Sequence, residues 1–263
     1  MARAGANDGD QRPSRHILRE LGFVLTRSGD ELHGQADVVP EMWVPQTTSL
    51  RTSILAAWTD TVAGNLAVGL LAPRVPTTLE LDVHAYQPLR GDGTIHAVSR
   101  TIKDGRSVVV FGVDFTDQDG EPVAVATASF MAIPDPDVTM PPEIARLVPV
   151  SAGDGRLRVP FAQRAGCERR APGVAVLPRS DDGLNTAGTI NGGLVALAVE
   201  EAALSVTPGT TLASMALRYL RPMRVGPAVA SARVRAGLGR VDVRDEGSDD
   251  RLAVIATTRT FGS

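Results

Sequence analysis

Thr77–Pro88, TTLELDVHAYQP, and Thr210–Pro222, TTLASMALRYLRP, are two versions of one phrase, a strand that runs into an aromatic residue and then proline. In the first copy Leu79, Leu81, Val83 and Ala85 point one way and Glu80, Asp82 and His84 the other, the period of a half-buried strand. An apolar segment precedes each copy: SILAAWTDTVAGNLAVGLL, residues 53–71, and GGLVALAVEEAALSV, residues 192–206. Each copy is followed by a strand, a Gly-Arg turn, another strand, an acidic turn and a last strand ending near Phe. Pro88 and Pro222, Gly105 and Gly239, and Arg106 and Arg240 are all separated by the same interval. Three landmarks at one offset mark an internal repeat.

The repeat fixes the expected architecture. Ile54, Leu55, Trp58, Val62 and Leu66 recur at helical spacing, and apolar residues cover most faces of both segments, as a helix wrapped by a sheet requires. Ser49 or Thr52 is placed to cap the first helix, and Asn191 or Thr189 the second. Asp117–Gly120 and Glu246–Asp250 read as hairpin turns, and Gly237–Gly239 as another turn and not a nucleotide fingerprint. The class is α+β: two units, each an antiparallel sheet around one helix, near 50–71 and 192–206, with the sheets joined edge to edge. Residues 1–14 read as a disordered tail, 15–133 as the first unit, 134–154 as a linker and 155–263 as the second unit. Ser14 to Gly22 reads as a short leading helix.

Composition narrows function by exclusion. The 263 residues are 43% hydrophobic and 22% charged with net charge -3, so there is no basic field for nucleic acid. Lys103 is the only lysine, which fits a codon bias better than phosphate recognition. Cys167 is alone, so no intrachain disulfide forms, and an inert thiol is expected. The N-terminus has no apolar signal core. Asp60, Gly64 and Asn65 interrupt the longest apolar run, so no membrane association is expected and a cytoplasmic location is. His16, His33, His84 and His96 have no nucleophile partner in a triad motif, and no spacing suggests a metal site.

Chemistry concentrates where NTAGTINGG, Asn185 to Gly193, enters the helix LVALAVEE, Leu194 to Glu201. This closely resembles the hotdog-fold thioesterases of the phenylacetate-pathway and 4-hydroxybenzoyl-CoA type. Their signature is N-x-x-G-T-x-H-G-G followed by an acid nine residues after the His. Asn185, Gly188, Thr189, Gly192, Gly193 and Glu200 fit; Asn191 stands where the family has His. In the first half Asp60, within AAWTDTVAG, takes the acidic position, six residues further from its proline landmark than Glu200 is, and Arg51-Thr52-Ser53 replaces His-Gly-Gly. The resemblance spans roughly residues 15 to 262 and implies a tandem double hotdog.

Nine helical residues span about 13 Å, so a helix start and its own acid cannot meet on one carbonyl. The resemblance implies antiparallel pairing of the two helices, so that each start faces the other's acid. One composite site then holds Asp60 with Asn191, Gly192 and Gly193; the other holds Glu200 with Arg51, Thr52 and Ser53. A helix start offers amides and partial positive charge to a thioester oxyanion, glycine admits close approach, and the opposed carboxylate attacks or activates water. The competing explanation for each acid is a structural pairing with a buried arginine, and Arg51 is placed to neutralise Glu200. Glu201 is expected to be solvated or at an interface. Asn185, Thr189, Arg218 and Arg221 are the substrate-binding candidates, the arginines for phosphates of coenzyme A. The implied activity is acyl-CoA thioester hydrolysis, with the CoA thioester as substrate and neither cofactor nor metal. A non-catalytic acyl-CoA binding or regulatory protein is the alternative. A hotdog hydratase ranks below both, since its D-x-N-P-x-H-like segment is missing. Free sheet edges or faces allow a homodimer of double hotdogs.

Overall fold

The computed structural model describes residues 16–135, 137–140 and 156–262. The expected tail and most of the expected linker lie outside them. The first unit contains β1 (Val24–Ser28), β2 (Glu31–Val38), α1 (Thr52–Leu71), β3 (Pro76–Ala85), β4 (Gly93–Asp104), β5 (Val109–Thr116) and β6 (Pro122–Ala132). The second contains β7 (Glu168–Ala171), β8 (Val174–Leu177), α2 (Gly192–Ser205), β9 (Leu212–Tyr219), β10 (Ala228–Arg235), β11 (Leu238–Asp245) and β12 (Arg251–Thr260).

All twelve strands form one antiparallel sheet in the order β1-β2-β4-β5-β6-β3-β9-β12-β11-β10-β8-β7. Read inward from each edge, the two halves have the same connectivity. They meet where β3 pairs with β9, from Glu80 opposite Arg218 to His84 opposite Ser214. The repeated phrase is therefore the seam, and the tandem hotdog architecture follows from it. Leu81 and Val83 bury their side chains inward, as the alternation requires, and Met215 and Leu217 do so from β9.

The two helices pack against each other and against the strands of the sheet. Leu194 to Leu204 is buried without a break, and α1 is buried from Thr52 to Thr59 and again at Val62, Ala63, Leu66 and Ala67. On length and composition α1 could cross a membrane, but it is packed as a core helix. α1 has 20 residues and α2 has 14. Each helix has its N-cap position, Arg51 or Asn191, nine residues before its acid, so the six-residue discrepancy in the acid-to-proline spacing is an extension of α1 at its C-terminal end.

Three local expectations change. Neither Ser49 nor Thr52 caps α1: the N-cap position is Arg51, which makes no capping bond, and the Thr52 hydroxyl donates to Leu212 O at 2.7 Å. The second Gly-Arg pair is not in a turn: Gly239 and Arg240 lie inside β11, because the turn is Ala236-Gly237, both at positive φ. The leading helix is a 3-10 turn, Ile17–Leu21, capped by His16. This turn belongs to the first unit by sequence but docks on the second. Glu20 O accepts from Leu157 N–H at 3.0 Å, and the Glu20 carboxylate pairs with Arg164 at 2.6 Å.

Candidate active site

The helices run antiparallel, and the contacts between them show it. Glu200 of α2 meets Thr52 and Ser53 at the start of α1, Gly193 meets Ala57, and Asp60 approaches Gly192 at the start of α2. The two expected composite sites are therefore both assembled, one at each end of the helix pair. From there they diverge.

At the first end Glu200 is completely buried. Its Oε1 accepts from the Thr52 amide at 2.8 Å and the Ser53 amide at 3.3 Å. Its Oε2 accepts from the Ser53 hydroxyl at 2.7 Å and from Arg51 Nη1 at 3.1 Å. The carboxylate thus occupies the place where a helix start would hold an anion, and it caps α1 in place of the missing Ser or Thr cap. Glu201 is buried too, which excludes the solvated alternative and leaves the interface one: it faces Arg51 Nη1 of the first unit at 2.6 Å and Arg169 Nε at 2.7 Å. Two acids and two arginines balance. Burial works against the Arg51 charge, while Glu200 and Glu201 outweigh it and hold the guanidinium above its ordinary pKa. With every Glu200 oxygen bonded and no exposed surface, this end is sealed.

The second end is open. Asp60 is partly exposed, and its Oδ1 accepts from the Thr78 hydroxyl at 2.9 Å. Gly192, also partly exposed, begins α2. A Cβ on Gly192 would lie 3.1 Å from the Tyr219 hydroxyl and 3.5 Å from Asp60 Oδ2. Glycine there keeps clear the space between the acid and the helix start. Asn191 caps α2, its Oδ1 accepting from the Gly193 amide at 2.8 Å. Among the described residues no acceptor bonds the Gly192 N–H, which leaves it as the donor for an incoming oxygen. Gly193 has a different task from the one expected: a Cβ there would sit 2.7 Å from Ala57 Cα, so glycine permits the helices to touch.

The remaining candidates separate. Asn185 Oδ1 accepts from the Ala187 and Thr189 amides at 3.0 and 3.1 Å, so it folds the loop that delivers Asn191. Thr189 is buried in that loop. Arg218 lies on the outer face of the seam, bonded to Asp82 by both Nη atoms and to Glu80 at 3.1 Å, so its charge is already engaged. Arg221 is exposed and forms no ion pair among the described residues. Cys167 is buried, and burial pushes its thiol up to about 12. Among the described residues no cluster of His, Cys, Asp or Glu could hold a metal.

Two residues of the open site escaped sequence reasoning. Tyr219, half-buried, turns its hydroxyl inward and donates to Gly192 O at 2.9 Å; burial, with the charge of Asp60, holds it well above the usual phenol range. Thr78 is the other. Strict alternation assigns it to the outer face with Glu80 and Asp82, but the register shift between Thr78 and Glu80 turns it inward to Asp60.

By sequence, residues 53–124 match the thioesterase superfamily. Among curated proteins, none matches the chain. Solved structures similar to it include the 12:0-ACP thioesterase of Umbellularia californica, with a TM-score of 0.66 and 14% identity over 90% of this chain and 100% of that one. An acyl-ACP thioesterase of Bacteroides thetaiotaomicron has a TM-score of 0.60 and 13% identity over 87% of this chain and 98% of that one. A conserved protein with a hot dog fold from Alicyclobacillus acidocaldarius has a TM-score of 0.57 and 19% identity over 94% and 99%. At these identities the likeness is one of fold, and it extends across both units.

Proposed function

We propose that this chain, a tandem hotdog protein of the thioesterase superfamily and in class a thioester hydrolase, cleaves an acyl or aroyl thioester of coenzyme A at one site, between Asp60 and the start of α2. The observation that carries the proposal is the partly exposed Asp60 carboxylate facing a Gly192 amide that no described residue accepts from, across a space that a side chain on Gly192 would crowd. The thioester carbonyl oxygen sits at the Gly192 N–H, where the helix start stabilises the negative charge that develops on it. Asp60 takes a proton from water as the water oxygen bonds to the carbonyl carbon. The tetrahedral intermediate then collapses, the C–S bond breaks, and the thiolate leaves with the proton that Asp60 held. Asn191 in place of histidine fits this scheme, because its bonded role is to cap α2 and orient the Gly192 peptide.

Arg221, exposed beside the loop that enters α2, is the arginine we assign to a CoA phosphate; Arg218 is spoken for by Asp82 and Glu80. The sealed Glu200 end favours a second reading, an acyl-CoA binding protein without turnover. A thiol-release screen over short, medium, long and aromatic acyl-CoAs, with binding measured in parallel, separates the two. The buried Cys167 leaves the assay background low. Thiol release above the no-enzyme control on at least one ester is expected. Binding without release would replace hydrolysis by the non-catalytic reading.

A further inference from the structure

The open and sealed ends differ in the strands as well as in the helices. Repeat register equates Thr78 of β3 with Leu212 of β9. Each lies beside a bulge, Thr78 opposite Phe130 and Leu212 opposite Thr260. The same register equates Tyr219 of β9 with Ala85 of β3. The open end thus has two inward hydroxyls where the sealed end has Leu212 and Ala85. The hydroxyls contact the two parts the proposed reaction needs: Thr78 donates to the Asp60 carboxylate at 2.9 Å, and Tyr219 donates to the Gly192 carbonyl at 2.9 Å. The sealed end has no use for either, since Glu200 is held by Arg51, Ser53 and two amides.

We infer that Thr78 and Tyr219 are a matched pair of positioning residues, one fixing the carboxylate and the other the helix-start peptide on opposite sides of the scissile carbonyl. The inference rests on the hydrolytic reading above. Thr78 supplies one proton to one lone pair of Asp60 Oδ1, and Oδ2 lies on the Gly192 side of the carboxylate. Tyr219 anchors the carbonyl of Gly192 and so restricts the adjoining backbone from tilting away from the substrate oxygen. Neither hydroxyl loses a proton in the reaction. The Tyr219 phenol, buried and facing an acid, is held protonated as a donor.

The consequences of deleting each hydroxyl differ, and this separates positioning from a general structural role. Thr78→Val keeps the branched shape but removes a bond that favours the ionised acid, so the acid limb of the kcat pH profile should move to higher pH, by about one unit. Its kcat should fall about tenfold with KM changed less than about twofold. Thr78→Ser, which restores the hydroxyl, should recover the wild-type limb. Tyr219→Phe removes a neutral donor to a neutral carbonyl, so its limb should stay in place while kcat falls, also about tenfold. The experiment is kcat and KM against pH for wild type and the three variants, on the best ester from the screen, with melting temperatures beside them. The expected result is a shifted limb in Thr78→Val alone. Rates and limbs like wild type in both deletions would overturn the inference while leaving hydrolysis intact. So would losses that track melting temperature and are not rescued by Thr78→Ser. A wild type that releases no thiol from any ester would defeat the hydrolytic reading and this inference with it.

Discussion

At each end of the α1–α2 pair a carboxylate from one helix approaches the amides that begin the other, and the outcome turns on reach and on one neighbour. Glu200 reaches two amides, takes a serine hydroxyl and an arginine, and shuts its end completely. Asp60, one methylene shorter, is bonded to Thr78 on the sheet and stays partly exposed, and no described residue accepts from the Gly192 amide. The same geometry therefore makes a structural clasp at one end and an accessible acid facing a helix start at the other. A tandem fusion frees the two ends to diverge, because a mutation in one unit is not copied into the other as it would be in a symmetric homodimer.

The largest effect expected from breaking the clasp is on stability. Arg51→Met removes the buried cation that balances Glu200 and Glu201, leaving Arg169, which contacts Glu201 alone. Loss of one member of a buried pair costs about 3–5 kcal/mol, so calorimetry should show a melting point lower by about 10 °C. Turnover per folded molecule should be close to wild type, since the open end is untouched. An unchanged melting point would mean that the clasp contributes no stability.

The two adjacent glycines sharpen the contrast within the open end. Gly193→Ala drives a methyl group against the α1 backbone and should cost about 1–3 kcal/mol by denaturant titration. The nearest atoms to the new methyl in Gly192→Ala are side-chain atoms, the Tyr219 hydroxyl at 3.1 Å, its ring carbon at 3.3 Å and Asp60 at 3.5 Å, so the fold should survive while turnover falls about tenfold. The reverse pattern, Gly193→Ala inactive but stable and Gly192→Ala active, would move the oxyanion position to Gly193.

Much of this was legible in the sequence because repeats and periods survive as spacing. The shared offset of Pro88 and Pro222 foretold two like units with their sheets joined edge to edge, Asn191 was one of two caps offered for α2, and the family resemblance implied the antiparallel crossing that brings Asp60 to the start of α2. What was not legible depended on one-residue geometry or on partners distant in sequence. The bulge after Thr78 inverts the face that alternation assigns to it. Glu201 reads equally as solvated or at an interface until Arg51 and Arg169, from elsewhere in the chain, are seen to converge on it. The missing cap on α1 has the same origin: the capping group comes from the other unit. Gly192 and Gly193 look equivalent in sequence, yet one faces the acid and the other faces Ala57.

The central claim is that turnover belongs to the Asp60 end alone. Its most direct test is the kcat of Asp60→Asn and Glu200→Gln, measured side by side on the best thioester with the melting temperature of each. Asp60→Asn should lose about a hundredfold or more in kcat at nearly unchanged melting temperature. Glu200→Gln should melt lower, having lost a buried charge that Arg51 and the start of α1 require, yet turn over at a rate close to wild type once folded. An active Asp60→Asn beside an inactive, fully folded Glu200→Gln would contradict this assignment and place the reaction at the Glu200 end.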